Sequence, residues 1–290
     1  MSLPVASCRA ARIFCIGLIA SAVAGCAQPQ KPAATAPAHP DFSGFWNLDV
    51  RAPRDPGLMG QVAPNTAFID DTGPKELPAG DFGGLKLKPV AVEAARNWNP
   101  YSQLTVENAC KAPSIVYAMQ GPFPIEIFQG AGFIVIKLEY YDMVRMIFLD
   151  GRRAESDYPD SKVGFSSGHW EGSTLVVETA HLEAATLTNN GLDHTNNVRV
   201  IERFKLSPDG QTLLSTQEFE DPAVLDNRGV RFIAWRKQAG QHVFPYECDP
   251  GFAGNYVQPG DGKSAGAQPA GAQPAATKPA GTKGRPKAAR

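Results

Sequence analysis

The apolar run Ile13–Ala24 stops well short of the ~20 residues that a membrane-spanning helix needs. The chain has no H-E-x-x-H and no cysteine cluster, so the common zinc motifs are absent. Phosphate loops and dinucleotide fingerprints are also missing. Five cysteines and five histidines are all that 290 residues supply, so thiol or imidazole chemistry has few groups to draw on. Large apolar residues stop at Val257 and acids at Asp261. Residues 260–290, with AGAQP twice in succession, therefore cannot bury enough surface to fold.

The ends give an address. Arg9 and Arg12 precede the run Ile13–Ala24, as in an export leader covering residues 1–25. The run closes in Val23-Ala24-Gly25-Cys26. This resembles the bacterial lipobox, whose small residues admit a peptidase and whose Cys thiol accepts the lipid. An ordinary secretory leader cut near Ala24 is the alternative. On the lipoprotein reading the mature chain starts at an acylated Cys26. Ala27 rather than Asp at the next position suggests, by resemblance to Gram-negative lipoproteins, the periplasmic face of the outer membrane. Residues 26–40, rich in Pro and Ala, then form a semi-rigid tether. The tail carries Lys263, Lys278, Lys283, Arg285, Lys287 and Arg290. It is either a cationic attachment to an anionic envelope component or a soluble spacer. With those cations set aside, the rest of a chain of net charge −1 is acidic. An exported acidic domain does not suit nucleic acid.

Cys8 and Cys15 leave with the leader, and Cys26 takes the lipid. Cys110 and Cys248 remain for an oxidising compartment. They form either one disulfide, from the end of the pre-barrel region to the last strand, or two buried thiols.

Between Asp41 and residue 259 the pattern is that of strands. In His169–His181 two alternating runs meet at a Gly-containing turn. Trp170 and Leu175 fall opposite each other there. Trp170, Leu175, Val177, Thr179 and His181 then share an apolar face, and His169, Glu171, Thr174, Val176 and Glu178 a polar one. IEIFQ, the two arms of GFIVIKLEYYDMVRMIFLDG, NVRVIERFKL, QTLLSTQEFED, GVRFIAWRK, VFPYEC and DFSGFWNLD read likewise. Pairing Leu206 with Gln211 across Ser207-Pro208-Asp209-Gly210 puts Val198, Val200, Glu202, Phe204 and Leu206 on one face. Leu213, Ser215, Gln217 and Phe219 join them. Only Lys88–Trp98 reads as a good helix, with Pro89 in its first turn. About nine short strands without crossover helices predict an all-β fold with one short helix, an antiparallel up-and-down, lipocalin-like β-barrel. Gly44-Phe45-Trp46 resembles the first-strand motif of lipocalins, in which a late Arg packs on the Trp; Arg236 is the candidate.

PFPIEIFQGAGFIVIKLEYYDMVRMIFLDGR, GHWEGSTLVVETAHL and GLDHTNNVRVIERF resemble a family of uncharacterised exported bacterial proteins. That family's pattern runs PFPMEI-Q, E-YD--R-IY-DGR, G-WEGDTLVV-T, G-PHS--L-V-ER and a late Y-C. The resemblance spans roughly Phe42 to Cys248 and implies a secreted β-rich domain without an agreed reaction. Cys110, Cys248, Glu126, Glu139, Arg145, Arg152 and His194 match family positions. Phe165 stands where the family usually has His. His181-Leu182-Glu183-Ala184 stands where it tends to read GFND.

The polar residues placed on apolar faces are the candidates for function. Glu202, opposite Ser215 and near Gln217, is either a desolvated carboxylate poised for proton transfer or half of a structural ion pair with a barrel Arg or Lys. His181 ends the apolar face of the central hairpin, and His194 precedes the next strand. With Glu202 they would suffice for cofactor-free lyase or isomerase chemistry. His169 and Glu171 alternate on a polar strand face, a weak metal pair, so no metal and no cofactor is expected. The reading that follows is a lipid-anchored periplasmic protein holding a small apolar or aromatic molecule in a barrel cavity lined by Trp170, Phe204, Ser215 and Gln217. The alternatives are a His194–Glu202 lyase or isomerase in that cavity, and an envelope-structure protein.

Overall fold

A computed structural model describes residues 39–103 and 105–255; the leader, Cys26, most of the tether and the tail lie outside them. Alternation builds strands over β1 (Gly44–Leu48), β3 (Ile125–Gln129), β4 (Phe133–Leu138), β5 (Val144–Phe148), β6 (Phe165–Glu171), β7 (Thr174–Ala180), β10 (Arg199–Leu206), β11 (Thr212–Glu220) and β12 (Gly229–Gln238). These nine pair in that order, and β1 pairs again with β12. The result is a closed nine-stranded barrel of lipocalin-like, all-β character, in which each of these nine strands has a partner on both sides. One neighbour pairing, β5 with β6, is parallel, through Ile147–Ser166 and Phe148–Ser167. The long connection 149–164 carries the chain back along the barrel before β6 begins, as a parallel pair requires.

Three short elements lie outside the barrel wall's main order. The two-residue β2 (Ala67–Phe68) runs parallel to the start of β12. The strands β8 (Ala185–Thr188) and β9 (Leu192–His194) form their own small sheet, in a stretch that reads as loop from sequence. The described residues hold three short α-helices: α1 (Pro56–Met59), α2 (Pro89–Arg96) and α3 (Ile115–Ala118). The helix expected over Lys88–Trp98 is α2, with Lys88 at its N-cap and Pro89 in its first turn.

The central hairpin has the expected register. Trp170 pairs with Leu175 and Glu171 with Thr174, across Gly172-Ser173, with Gly172 in the left-handed region that this tight turn requires. The β10–β11 hairpin keeps the expected faces but slips by two residues. Leu206 pairs with Leu213 rather than Gln211, so Glu202 lies opposite Gln217, and Ser215 opposite Phe204. The Ser207 amide donates to the Thr212 carbonyl, making a longer turn of the same parity.

Two further expectations are corrected. Arg236 does not pack on Trp46. It points outward to Asp49, while Lys237, the register partner of Trp46, holds its ammonium 5.1 Å from the indole. VFPYEC is not a strand. It lies along the β4–β5 turn, where the Phe244 amide donates to Glu139 and the Tyr246 amide to Asp142. Its Tyr246 ring packs with Phe123, Tyr140 and Tyr141, and the Cys110–Cys248 disulfide ties it down.

The barrel interior is solid. The inward side chains Trp46, Arg145, Val177, Phe204, Gln217 and Trp235 each keep no more than 2% of their surface open to a water-sized sphere. A side chain bordering an internal void would keep more, so no water-sized void touches these.

Candidate functional site

The inward polar residues form one chain of bonds through the barrel. Arg145 on β5 donates from Nε to Ser166 Oγ at 3.0 Å. Its Nη2 reaches Thr179 Oγ1 at 2.8 Å and Glu202 Oε2 at 2.5 Å. Gln217 Nε2 lies 3.5 Å from Glu202 Oε1, and Gln217 Oε1 lies 3.3 Å from Arg231 Nη1. Arg231 on β12 then holds both carboxylate oxygens of Asp71 at 2.7 and 2.8 Å. It also donates to the carbonyls of Val116 in α3 and Leu187 in β8. Every member is buried, and opposite charges pair directly, which is how ionised groups survive in a core. Glu202 is thus half of a structural ion pair and has no open space before it. Phe204, Ser215 and Gln217 are equally buried. These three do not line a cavity, because the space between them is filled by Arg145, Arg231 and the indoles.

His194 is not brought to Glu202. It belongs to β9, where Nε2 lies 2.7 Å from Ser114 Oγ and Nδ1 lies 2.9 Å from the Thr195 carbonyl. A neutral ring with its proton on Nδ1 donates to the carbonyl and accepts from the hydroxyl. Burial holds the His194 pKa below its usual value, against an upward pull from the Thr195 carbonyl and from Asp221. Ser114 in turn caps α3 through the Val116 amide. His194 and Glu202 are each 1% exposed, so they share no cavity, and the paired acid–base arrangement is not formed. Trp170 also does other work: its indole stacks on His39 at 4.6 Å and packs against Phe42.

His169 and Glu171 sit 3.2 Å apart, well exposed. No group of three or more His, Cys, Asp or Glu that could hold a metal ion occurs among the described residues. His181 differs from the other candidates. It sits just past β7 with φ +57°, a left-handed conformation uncommon for a side-chain-bearing residue. Its Nδ1 is 3.7 Å from Asp160 Oδ1, its ring meets Tyr158 edge-on, and its side chain is about a quarter exposed.

His181 lies on a groove of about 680 Å³ over the outer face of β6, β7, β10 and β11, bounded by the loop 151–154. A second hollow of about 490 Å³ shares Ala180, His181 and Arg199 with it. Outward strand positions furnish the floor: Ser167, Glu178, Arg199 and Ile201, with Phe165 at the side. Phe165 stacks on Phe148 and meets Tyr158 edge-on. Several of the groove's charges are already paired. Arg228 is bound to Glu220, Glu218 to Arg203, and Arg152 to Asp150. Arg153, Arg199 and Glu178 make no ion pair among the described residues, which leaves one cation in excess.

Sequence reasoning did not find this groove, because a loop and four strand faces must meet to make it. It also left Arg231 and Asp71 unremarked and Arg145 without a face. Arg231 alternates with Ile233 and Trp235 along GVRFIAWRK, a signal that could have placed it inside. Neither protein-family models nor curated proteins give a match to the chain.

Proposed function

We propose that this chain is a lipid-anchored protein of the cell envelope that binds a small molecule in the groove over β6, β7, β10 and β11. The observation that carries the reading is the groove itself, whose volume of about 680 Å³ falls in the range of small-molecule sites. Phe165, Ile201 and Ala180 give it apolar surface, and the unpaired Arg199 and Arg153 give it cations. That combination suits a molecule with an apolar or aromatic body and an anionic group. The anchor rests on Val23-Ala24-Gly25-Cys26, and the envelope address on the anchor. The solid barrel interior supports the outer face, rather than the inside, as the ligand site.

The test is native mass spectrometry of the chain purified from the envelope fraction. The wild type carries a small-molecule adduct, and Arg199→Glu reduces its occupancy at least tenfold. An adduct equally abundant on both overturns the groove as its site.

A second reading has one observation in its favour. His181 lines both hollows beside Asp160 and is held in an uncommon backbone conformation. Acid–base turnover would then centre on His181 rather than on His194 and Glu202. Incubating the adduct molecule with wild type and His181→Gln separates the two. Consumption by the wild type alone favours the enzyme, and no consumption by either favours the carrier.

A further inference from the structure

Four of the large apolar side chains left exposed by the barrel fall together on one outer face. Phe128 on β3, Phe133 on β4, and Val144 and Met146 on β5 are 45–53% exposed. Register joins them: Phe128 pairs with Val135, Val135 with Met146, and Phe133 with Phe148. Val135 and Phe148 are half-buried outward residues of the same face. Lys137, exposed and without an ion pair among the described residues, sits between Glu126 and Val144. The guanidinium of Arg152 lies 4.4 Å from the centre of the Phe148 ring. Outward Leu214, Phe232 and Ala234 are covered by Leu58, whereas these four side chains are left exposed. Contiguous exposed apolar surface of this kind marks a contact site.

The path of the chain says what the contact is. The chain enters the barrel beside Gln129, the residue after Phe128. Gln129 Nε2 donates to the Pro40 carbonyl, and the Phe42 amide donates to Gln129 Oε1. Thirteen residues separate His39 from Cys26, a span of about 40 Å at most at the ~3.1 Å per residue of an extended Pro-rich chain. An acylated Cys26 therefore keeps this face of the barrel within reach of the bilayer.

We infer that the β3–β4–β5 face lies on the membrane that carries the anchor, with Phe128, Phe133, Val144 and Met146 in the interfacial layer. Lys137 then meets anionic headgroups. The inference rests on the lipid-anchor reading above. One acyl-modified Cys tethers the chain; the face fixes how the barrel sits and leaves the charged strands β7, β10 and β11 turned to water.

The experiment uses the full chain isolated from membranes and reconstituted into vesicles of phosphatidylethanolamine and phosphatidylglycerol containing nitroxide-labelled lipid. A fluorophore is attached at Met146→Cys, or at Lys86→Cys as a control position. Cys110 and Cys248 are bonded to each other and an acylated Cys26 has no free thiol, so on the processed, acylated chain no native thiol competes for the label. Mass spectrometry of the N-terminal fragment reads acylation of Cys26 separately. The expected result is an acylated Cys26 and several-fold stronger quenching at 146 than at 86. Adding Phe128→Glu and Val144→Glu, both at exposed positions, should remove that difference. Equal quenching at 146 and 86 on an acylated chain overturns the inference and leaves the anchor standing. A probe shielded in vesicle-free buffer, together with a doubled sedimentation mass, also overturns it and makes a second copy the occupant. A chain with no acyl group and no vesicle association overturns both.

Discussion

Arg145 and Glu202 meet inside the barrel with Nη2 and Oε2 2.5 Å apart and 1% of either side chain exposed. The pair joins β5 to β10, strands that are not neighbours in the sheet, so it is a strut across the interior rather than a rung of a ladder. Ser166, Thr179 and Gln217 occupy further bonding sites on the two groups.

Removing one partner leaves the other charged and dry. Arg145→Met and Glu202→Leu should each lower stability by about 3–5 kcal/mol. The double variant Arg145→Met/Glu202→Leu should lose much less than the sum of the two single losses, because it buries no orphan charge. Urea unfolding of the four proteins measures this. Single variants within about 1 kcal/mol of wild type would mean that the pair behaves like a solvated surface bridge.

His194 gives a pH dependence with a definite sign. Burial depresses its pKa in the folded chain, so below the unfolded value of about 6.5 the unfolded chain binds more protons than the folded one. Its contribution is complete above that value and is lost as pH falls through the folded pKa. Stability of the wild type should decline with acidification from about pH 6.5, and His194→Gln should flatten that part of the curve. Thermal melts over pH 5–8 test it. Equal slopes in both proteins would assign the acid sensitivity to other groups.

The Cys110–Cys248 bond closes a loop with a sequence separation of 138. The chain-entropy model gives about 5 kcal/mol for a loop of that length. Reduction should lower the midpoint of thermal unfolding. It should also free the segment carrying Phe244 and Tyr246, whose amides bond to Glu139 and Asp142. Hydrogen exchange at those two amides should rise before the barrel amides do. Unchanged protection on reduction would show that the ring cluster of Phe123, Tyr140, Tyr141 and Tyr246 holds the segment alone.

Much of the barrel was legible because its information is local. Alternation of period two set the faces of β7, β10 and β11, and a Gly in the turn set the register of Trp170 with Leu175. The same period explains the slip at Leu206. Pairing with Gln211 or with Leu213 puts the same residues inside, so the pattern could not choose between them. The parallel β5–β6 pair depends on where a long connection runs, and no window of sequence contains that. Cys110 and Cys248 could be paired by elimination, but VFPYEC was taken for a strand because its β-prone residues carry no sign of whether a partner edge is free. Glu202 was placed inside on sound grounds. Its partner Arg145 was not, since the turn at Tyr140–Asp142, with Tyr141 and Asp142 at positive φ, obscured the parity of β5. The empty-barrel expectation failed for a related reason. Strand pattern gives the wall of a barrel, whereas its filling depends on which long side chains, here two arginines and two tryptophans, meet inside it.

The central claim is that the ligand binds outside the barrel, and calorimetric titration of the co-purifying molecule tests it most directly. The proteins to compare are wild type, Arg199→Glu in the groove and Phe204→Leu in the interior. The account predicts that Arg199→Glu weakens binding at least tenfold while Phe204→Leu binds as the wild type does. Binding lost in Phe204→Leu and kept in Arg199→Glu would return the ligand to the barrel interior and contradict the account.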